Sequence, residues 1–307
     1  MALSDQINVI DCSAAGAVGT GSLGCKKDME RAKALGLLNP DYIFDPAVTF
    51  NKELIDELQL IGDLVILPGV ESFVWSTPEN SYFTREASGD KSLQQRFPYE
   101  ATATFDNGID FQAALDSVSG KGNYALIVFD ANDVAWMTET VSGDVKGFSL
   151  SVHQVGNYQG NDGQTQSSET FFLQFKNRSE IDRRPVAVKM PDVSSDELDG
   201  INDIGITISP LANGGTTLTW KPLLGDNSHL VKGLAISNYL FADNATPFTP
   251  TSLVYNDANK TASVTIPSAV TGHAITIRTN TVSPASTVTQ ATTGAKYKSN
   301  LATVIVT

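Results

Sequence analysis

Apolar and polar positions alternate most regularly between Phe97 and Val155. Phe97, Tyr99, Ala101, Ala103 and Phe105 interleave with Pro98, Glu100, Thr102 and Thr104, the period of a half-buried strand with one aromatic face. Asp106–Asn107–Gly108 turns the chain. Ile109, Phe111, Leu115 and Val118 then recur at helical spacing up to Gly120, with Asp106 or Asn107 placed to cap the helix start. Tyr124 to Phe129 is apolar without a break, the mark of a strand covered on both faces. Asp130 to Asp133 makes a tight connection to a return strand carrying Val134, Trp136, Thr138 and Thr140. After the turn Ser142–Gly143–Asp144, Phe148, Leu150 and Val152 fall on one face of a strand that runs to Val155. Consecutive strands with such short turns predict an antiparallel meander.

The flanking pattern is less regular. The segment KKDMERAKALGLL, Lys26 to Leu38, reads as a short helix with Met29, Ala32 and Leu35 or Leu37 on one face, stopped by Asn39–Pro40. Asn51 to Ile61 reads as a second helix with Leu54, Leu58 and Ile61 on one side. Val65 to Leu67 ends at the turn Pro68–Gly69, and Val70 to Trp75 follows as a strand. The polar length from Tyr82 to Arg96 is either a long loop or a hairpin. Gly156 to Ser168 is a polar, glycine-rich hairpin loop, Thr170 to Phe175 a buried strand, and Val186 to Met190 the closing strand of a first domain.

Residues 191–203 are acidic and poor in apolar side chains, and mark the domain boundary. Beyond them come seven short strands: IGITI, TTLTW, VKGLAISNYLF, TSLVY, ASVTI, HAITIRT and LATVIV. Their number and spacing match an immunoglobulin-like sandwich without the Cys…Trp…Cys pattern, with Trp220, Ile236 and Ile275 in its core. The Thr/Ser/Ala run from Thr279 to Thr293 is a surface excursion. Residues 1–25, with the run SAAGAVGTGSLG, form an extended arm that is either a disordered tail or ordered against a neighbouring subunit. The expected fold is mainly β: an antiparallel β-sandwich or barrel domain with short helices over 26–190, an acidic linker over 191–203, and an immunoglobulin-like β-sandwich over 204–307.

Charge narrows the function classes. Net charge is −13, from 21 Lys and Arg against 34 Asp and Glu. Tight binding to nucleic acid draws on cations that neutralise phosphates, so this balance excludes a strong binder but permits a conduit that must not stick. No apolar run is long enough to span a bilayer, and the N-terminus lacks the basic start of a signal peptide, so cytoplasmic synthesis without membrane insertion is expected.

Candidate chemistry is sparse. His153, His229 and His273 stand far apart, and His153 falls on the outward alternation of its strand, which predicts an exposed histidine. No HExxH, CxxC, Walker A or GxSxG motif occurs. Cys12 and Cys25 lack partners for a zinc tetrahedron and read as two free thiols or one disulfide. Asp192, Asp196, Glu197, Asp199 and Asp203 do not meet the EF-hand pattern. Arg178, Arg183 and Arg184 are interleaved with Glu180 and Asp182 and read as a salt-bridged loop or a subunit contact. The expectation is a non-enzymatic protein with no metal and no cofactor.

The order strand, NGIDFQAAL helix, YALIVFDANDVAW hairpin, VSGDVKGFSLSVHQV, long polar loop and TFFLQF resembles major tail-tube and related tail proteins of tailed bacteriophages. GSLGCKKDMERAKALGLLNP is similar to the entry segments of structural proteins from phages of Bacteroidetes-type hosts. The resemblance covers the layout from about Gly21 to Met190 and carries no diagnostic residue. It implies a virion protein, synthesised in the host cytoplasm, whose copies form stacked, commonly hexameric, rings around a DNA conduit. Phe97, Tyr99, Phe105, Tyr124, Val128, Trp136, Phe148 and Val152 would then lie on the strands of the assembly wall. Arg85, Asp90, Lys91, Asn161, Asp162, Arg178, Arg183 and Arg184 would lie in inter-subunit loops, Tyr82–Arg96 and Gly156–Ser168 reaching adjacent rings. Implied partners are further copies, other tail or virion proteins and genomic DNA as non-sticking cargo. An outward immunoglobulin-like domain would touch host surface glycans. The alternatives are a capsid, decoration or baseplate protein, or a glycan-binding surface protein.

Overall fold

The structure, a computed structural model, describes residues 2–7, 29–84, 90–120, 122–164, 166–224, 229–280, 288–289 and 296–307. It is mainly β, with several sheets and a few short helices. Two compact units divide the chain: residues 1–55 with 62–198, and residues 56–61 with 199–307.

Up to Lys189 the elements follow in order as α1 (Leu3–Gln6), β1 (Ala32–Leu38), α2 (Lys52–Ile61), β2 (Leu64–Pro68), β3 (Val70–Trp75), β4 (Ser81–Thr84), β5 (Lys91–Gln95), β6 (Glu100–Phe105), α3 (Ile109–Ser117), β7 (Ala125–Asp130), β8 (Val134–Glu139), β9 (Val145–Lys146), β10 (Phe148–Val155), β11 (Glu169–Phe175), α4 (Arg178–Asp182) and β12 (Pro185–Lys189), and all but the 56–61 part of α2 belong to the first unit. The ten-stranded sheet runs β12-β8-β7-β10-β11-β6-β3, with β1 on β7, β2 on β1 and β9 on β8. The predicted meander is therefore corrected. One edge of β7 is shared: Val128 and Phe129 pair with β8, whereas Ala125 and Leu126 pair with Ser149 and Phe148 of β10. Gly147 makes this hand-over possible, because a Cβ there would lie 2.9 Å from the Ala125 Cβ and 3.2 Å from the Leu126 carbonyl oxygen.

The strands fold into two layers over one core. Leu35, Leu37, Leu126, Val128 and Trp136 meet Ala101, Phe105, Phe148, Phe171 and Phe175 there. The layer holding β1 and β7 is covered on its second face as well, where Phe50 stacks on Phe129 at 6.5 Å and meets Phe44 at 5.3 Å. This explains why every residue of β7 is buried. At the sheet corner Gly69 turns β2 into β3 with φ +73°.

Several expectations change. The predicted helix from Lys26 to Leu38 is not formed: Ala32–Leu38 is strand β1, paired on one side with β2 and on the other with β7. Its residues are good helix formers, but two sheet partners and burial on both faces outweigh propensity. Gly36 belongs to that packing: an added Cβ would meet Leu64 Cδ1 and Phe129 Cε2 at 3.1 Å. Gly36→Ala is therefore expected to destabilise the first unit by about 1–3 kcal/mol through overpacking, measured as a lowered urea midpoint. In α2 the buried positions are Ile55, Leu58 and Gln59, while Ile61, at the helix end, is 64% exposed.

The start of the chain is pinned rather than free over its described residues. The Gln6 amide accepts from Phe50 N at 2.7 Å and donates to Phe50 O at 2.9 Å. Residues 8–28, with Cys12 and Cys25, lie outside the described residues. The two units divide between Leu198 and Asp199, inside the acidic stretch 191–203. Val193, Ser195 and Leu198 are buried, Lys33 pairs with Asp196 at 2.8 Å, and Ile201–Ile208 is already strand.

The second unit contains β13 (Ile201–Ile208), β14 (Thr217–Leu224), β15 (Tyr239–Asp243), β16 (Thr246–Phe248), β17 (Thr251–Asn256), β18 (Thr261–Thr265), β19 (Ala274–Thr279), β20 (Val288–Thr289), β21 (Lys296–Ser299) and β22 (Ala302–Ile305). They form a six-stranded sheet β17-β18-β14-β13-β21-β20 and a four-stranded sheet β16-β15-β19-β22. The predicted strand VKGLAISNYLF is confined to its end, because residues 236–238 form a 3-10 turn before β15. Trp220 and Ile275 are buried in the core and Ile236 is partly buried against it. Most of the run from Thr279 to Thr293 lies outside the described residues.

Candidate functional site

Exposure separates the first unit into a filled core and one unfilled element. Among the described residues β4 and β5 pair only with each other, and apart from half-buried Ser81 all their residues are exposed. Tyr82 faces Leu93 across the ladder, and the two are 55% and 44% exposed; Phe83, opposite Ser92, is 56% exposed. A two-stranded hairpin without further partners is marginal in water, and this one bears apolar side chains on both faces. The hairpin alternative for residues 82–96 is thus the one observed. Asp90 and Lys91 are exposed on it, and Arg85 lies outside the described residues.

β3 ends the sheet and leads towards this hairpin, with Val74 56% and Trp75 43% exposed. The layer formed by β3, β6, β10 and β11 contains no Lys or Arg in its four strands. Away from the core it presents Ser72, Val74, Thr102, Thr104, Thr170, Phe172, Gln174 and Glu100, so hydroxyl, amide and apolar groups dominate.

Bulges set which side chains face out. β10 shifts register against β11 between Leu150 and Val152. The extra residue, Ser151, donates to Gln174 O at 3.1 Å and Gln174 Oε1 at 2.9 Å. Strand phase reverses beyond it. Val152 therefore leaves the face of Phe148 and Leu150, and His153, expected outside, turns inward opposite Leu173. It is fully buried, in edge contact with the Tyr124 ring at 5.3 Å, and neither ring nitrogen has a hydrogen-bond partner. Burial pushes its pKa below the ordinary 6.5.

Of the wall residues, Phe105, Val128, Trp136 and Phe148 point into the unit's own core, while Phe97, Tyr99, Tyr124 and Val152 are half-buried. Any lining role of these strands falls to the opposite faces. Trp136 Nε1 donates to Asp130 Oδ2 at 2.7 Å, and Asp130 Oδ1 also accepts from Asn132 N and Val134 N, which closes the hairpin. α3 lacks a side-chain cap from Asp106 or Asn107. The buried Glu169 carboxylate takes that place, accepting from Asn107 N at 3.0 Å and Gly108 N at 3.1 Å. This was legible in principle, since Glu169 is in phase with buried Phe171, Leu173 and Phe175.

The predicted loop residues divide into fasteners and exposed groups. Arg178 donates to Phe97 O at 2.5 Å and lies 4.1 Å over the Tyr99 ring. Its guanidinium is 3.7 Å from Asp182, which accepts from Tyr99 Oη at 2.5 Å. That hydrogen bond, then burial and the carboxylate's charge, raise the Tyr99 pKa. Arg183 is exposed, and Arg184 donates to Ser179 Oγ at 3.2 Å beside an open cleft also lined by Thr140 and Ser142. Asn161 and Asp162 accept from Gly163 N and Gln164 N and shape the exposed 156–168 turn.

Glu180, which the sequence placed only between the arginines of a salt-bridged loop, is a buried and heavily bonded carboxylate. It accepts from Ser149 N at 2.7 Å, Ser149 Oγ at 2.9 Å and Asn177 Nδ2 at 3.0 Å, and pairs with Lys146 at 3.0 Å. Among the described residues no group of three or more His, Cys, Asp or Glu gathers as a metal site, and no helix is long and apolar enough to cross a membrane. Compared with known protein families and with curated proteins, the chain matches none.

Proposed function

We propose that the chain is a structural virion protein of a tailed bacteriophage, a tail-tube subunit that self-assembles into stacked rings around a DNA conduit. The observation that carries this reading is the β4–β5 hairpin, which bears Tyr82, Phe83 and Leu93 in the open and has no further strand partner among the described residues. A further copy supplies the cover. The strands free of Lys and Arg support the conduit, because a hydroxyl- and amide-rich face offers phosphates no cation. The two-sheet second unit reads as an immunoglobulin-like module, its core built on Trp220.

The test is electron microscopy and sedimentation velocity of the purified chain. Rings or tubes with a central hole a few nanometres across support the reading. A monodisperse monomer at high concentration, or icosahedral shells, sinks it. Tyr82→Glu with Leu93→Glu places two charges on one hairpin face. The pair is expected to hold the chain as a monomer while shifting stability by less than about 0.5 kcal/mol, as surface changes do.

A further inference from the structure

The most unusual group inside the first unit is His153, a fully buried imidazole with both nitrogens unbonded. It lies on the seam that holds the end of α3 against β10. Gly120 and His153 exchange two backbone hydrogen bonds, Gly120 N to His153 O at 2.7 Å and His153 N to Gly120 O at 3.2 Å. Val155 N donates to Ser119 Oγ at 2.8 Å, and Gln112 Nε2 donates to Gly156 O at 2.7 Å. A Cβ on Gly120 would stand 3.6 Å from the imidazole, so the backbone lies directly against the ring.

We infer that this seam is an acid-sensitive latch: protonation of His153 undocks α3 and the Ser119–Gly120 segment from β10 and frees the start of the 156–168 loop. Among the described residues the groups that face the ring are Tyr124 from the segment before β7, Phe171 from β11 and Gly120 after α3. Tyr124 is the one titratable group among them, and neutral phenol offers an imidazolium no counter-charge. Asp116 on α3 is exposed, and Glu169 of β11 is committed to the amides at the other end of α3. A charged ring in this site has lost water and gained no partner, a cost relieved only by opening. The opened state binds the proton at the ordinary value of 6.5, and burial places the docked value lower. The latch is therefore fully closed above that pH, and its closure weakens as pH falls below it, by about tenfold per pH unit until the docked value is reached.

The experiment is amide hydrogen exchange on the full chain at a series of pH values between 7.5 and 5, with exchange corrected for intrinsic rate. The Gly120, His153 and Val155 amides are expected to lose protection about tenfold or more across this range, while the Leu126 to Phe129 amides keep theirs. His153→Leu and His153→Gln are expected to remove the pH dependence. Equal acid loss in wild type and a folded variant overturns the latch. Should neither variant fold, the His153 imidazole resonance of the wild type decides. Titration below 6.5 together with the loss of protection supports the latch, and titration at 6.5 with protection unchanged overturns it.

Discussion

Glu180→Ala is expected to lower the stability of the first unit by about 3–5 kcal/mol, the cost of breaking a buried ion pair from one side. The side chain of Glu180 is only 4% exposed and that of Lys146 only 21%, so solvent can replace little of what is removed. The deletion leaves the Ser149 N–H without its acceptor at 2.7 Å and the Lys146 ammonium without its counter-charge at 3.0 Å, with only the Ser149 hydroxyl at 2.8 Å to accept from it. It also loosens the link between β10 and α4, the element that carries Arg178. Glu180→Gln keeps the volume and some of the hydrogen bonds, so a loss of about 1–3 kcal/mol is expected. Urea unfolding of the two variants measures both. A Glu180→Ala midpoint equal to wild type would show that the carboxylate holds nothing.

The same group has a pH consequence. Burial pushes the Glu180 pKa up, but donation from Ser149 N, Asn177, Lys146 and the Ser149 hydroxyl outweighs it and leaves the value below the ordinary 4.5. A carboxylate depressed in this way contributes stability that is present above its unfolded value and is lost as pH falls through its folded one. Its window lies below 4.5, whereas that of His153 opens at 6.5, so the two are told apart by titrating Glu180→Gln and His153→Leu side by side.

Trp220→Ala should cost the second unit about 3–5 kcal/mol, in the range for emptying an aromatic site in a core. Trp220 is fully buried and makes edge contacts with Tyr239 at 5.5 Å and Phe241 at 5.7 Å. It therefore bridges β14 of the six-stranded sheet and β15 of the four-stranded one. Its indole N–H has no partner, so Trp220→Phe gives up packing but no hydrogen bond, and about 1–2 kcal/mol is expected. Hydrogen exchange localises the effect: amides of β14, β15 and β19 lose protection, and those of β7 do not. A phenylalanine variant as unstable as the alanine variant would mean the indole N–H is bonded after all.

Strand phase was readable wherever two partners and a plain turn surround a segment. Ala101, Ala103 and Phe105 face inward as their alternation requires, and the unbroken apolar run of β7 is buried on both faces. Pro68–Gly69 and Asp130 to Asp133 turn the chain where they should, Gly69 and Asp133 both at positive φ. The candidate site was legible only as a polar length. Residues 82–96 show no long apolar run, and nothing local says that Tyr82, Phe83 and Leu93 remain uncovered after folding. Exposure is a property of the whole packing, so it had to come from the structure.

Local order along the chain thus specified the β class, most strand positions, the α2 and α3 helices and an acidity that discourages tight binding of nucleic acid. The tertiary structure decided the rest. Ala32–Leu38 is a strand because β2 and β7 lie on both sides of it, and no helix could satisfy both. His153 is buried because one extra residue at Ser151 reverses the phase of β10 against β11. Glu169 and Glu180 are buried because amides and an ammonium distant in sequence arrive to receive them. Periodicity reports which face of an element is apolar, whereas partners, bulges and counter-charges are set by residues far along the chain, and those meet only in the fold.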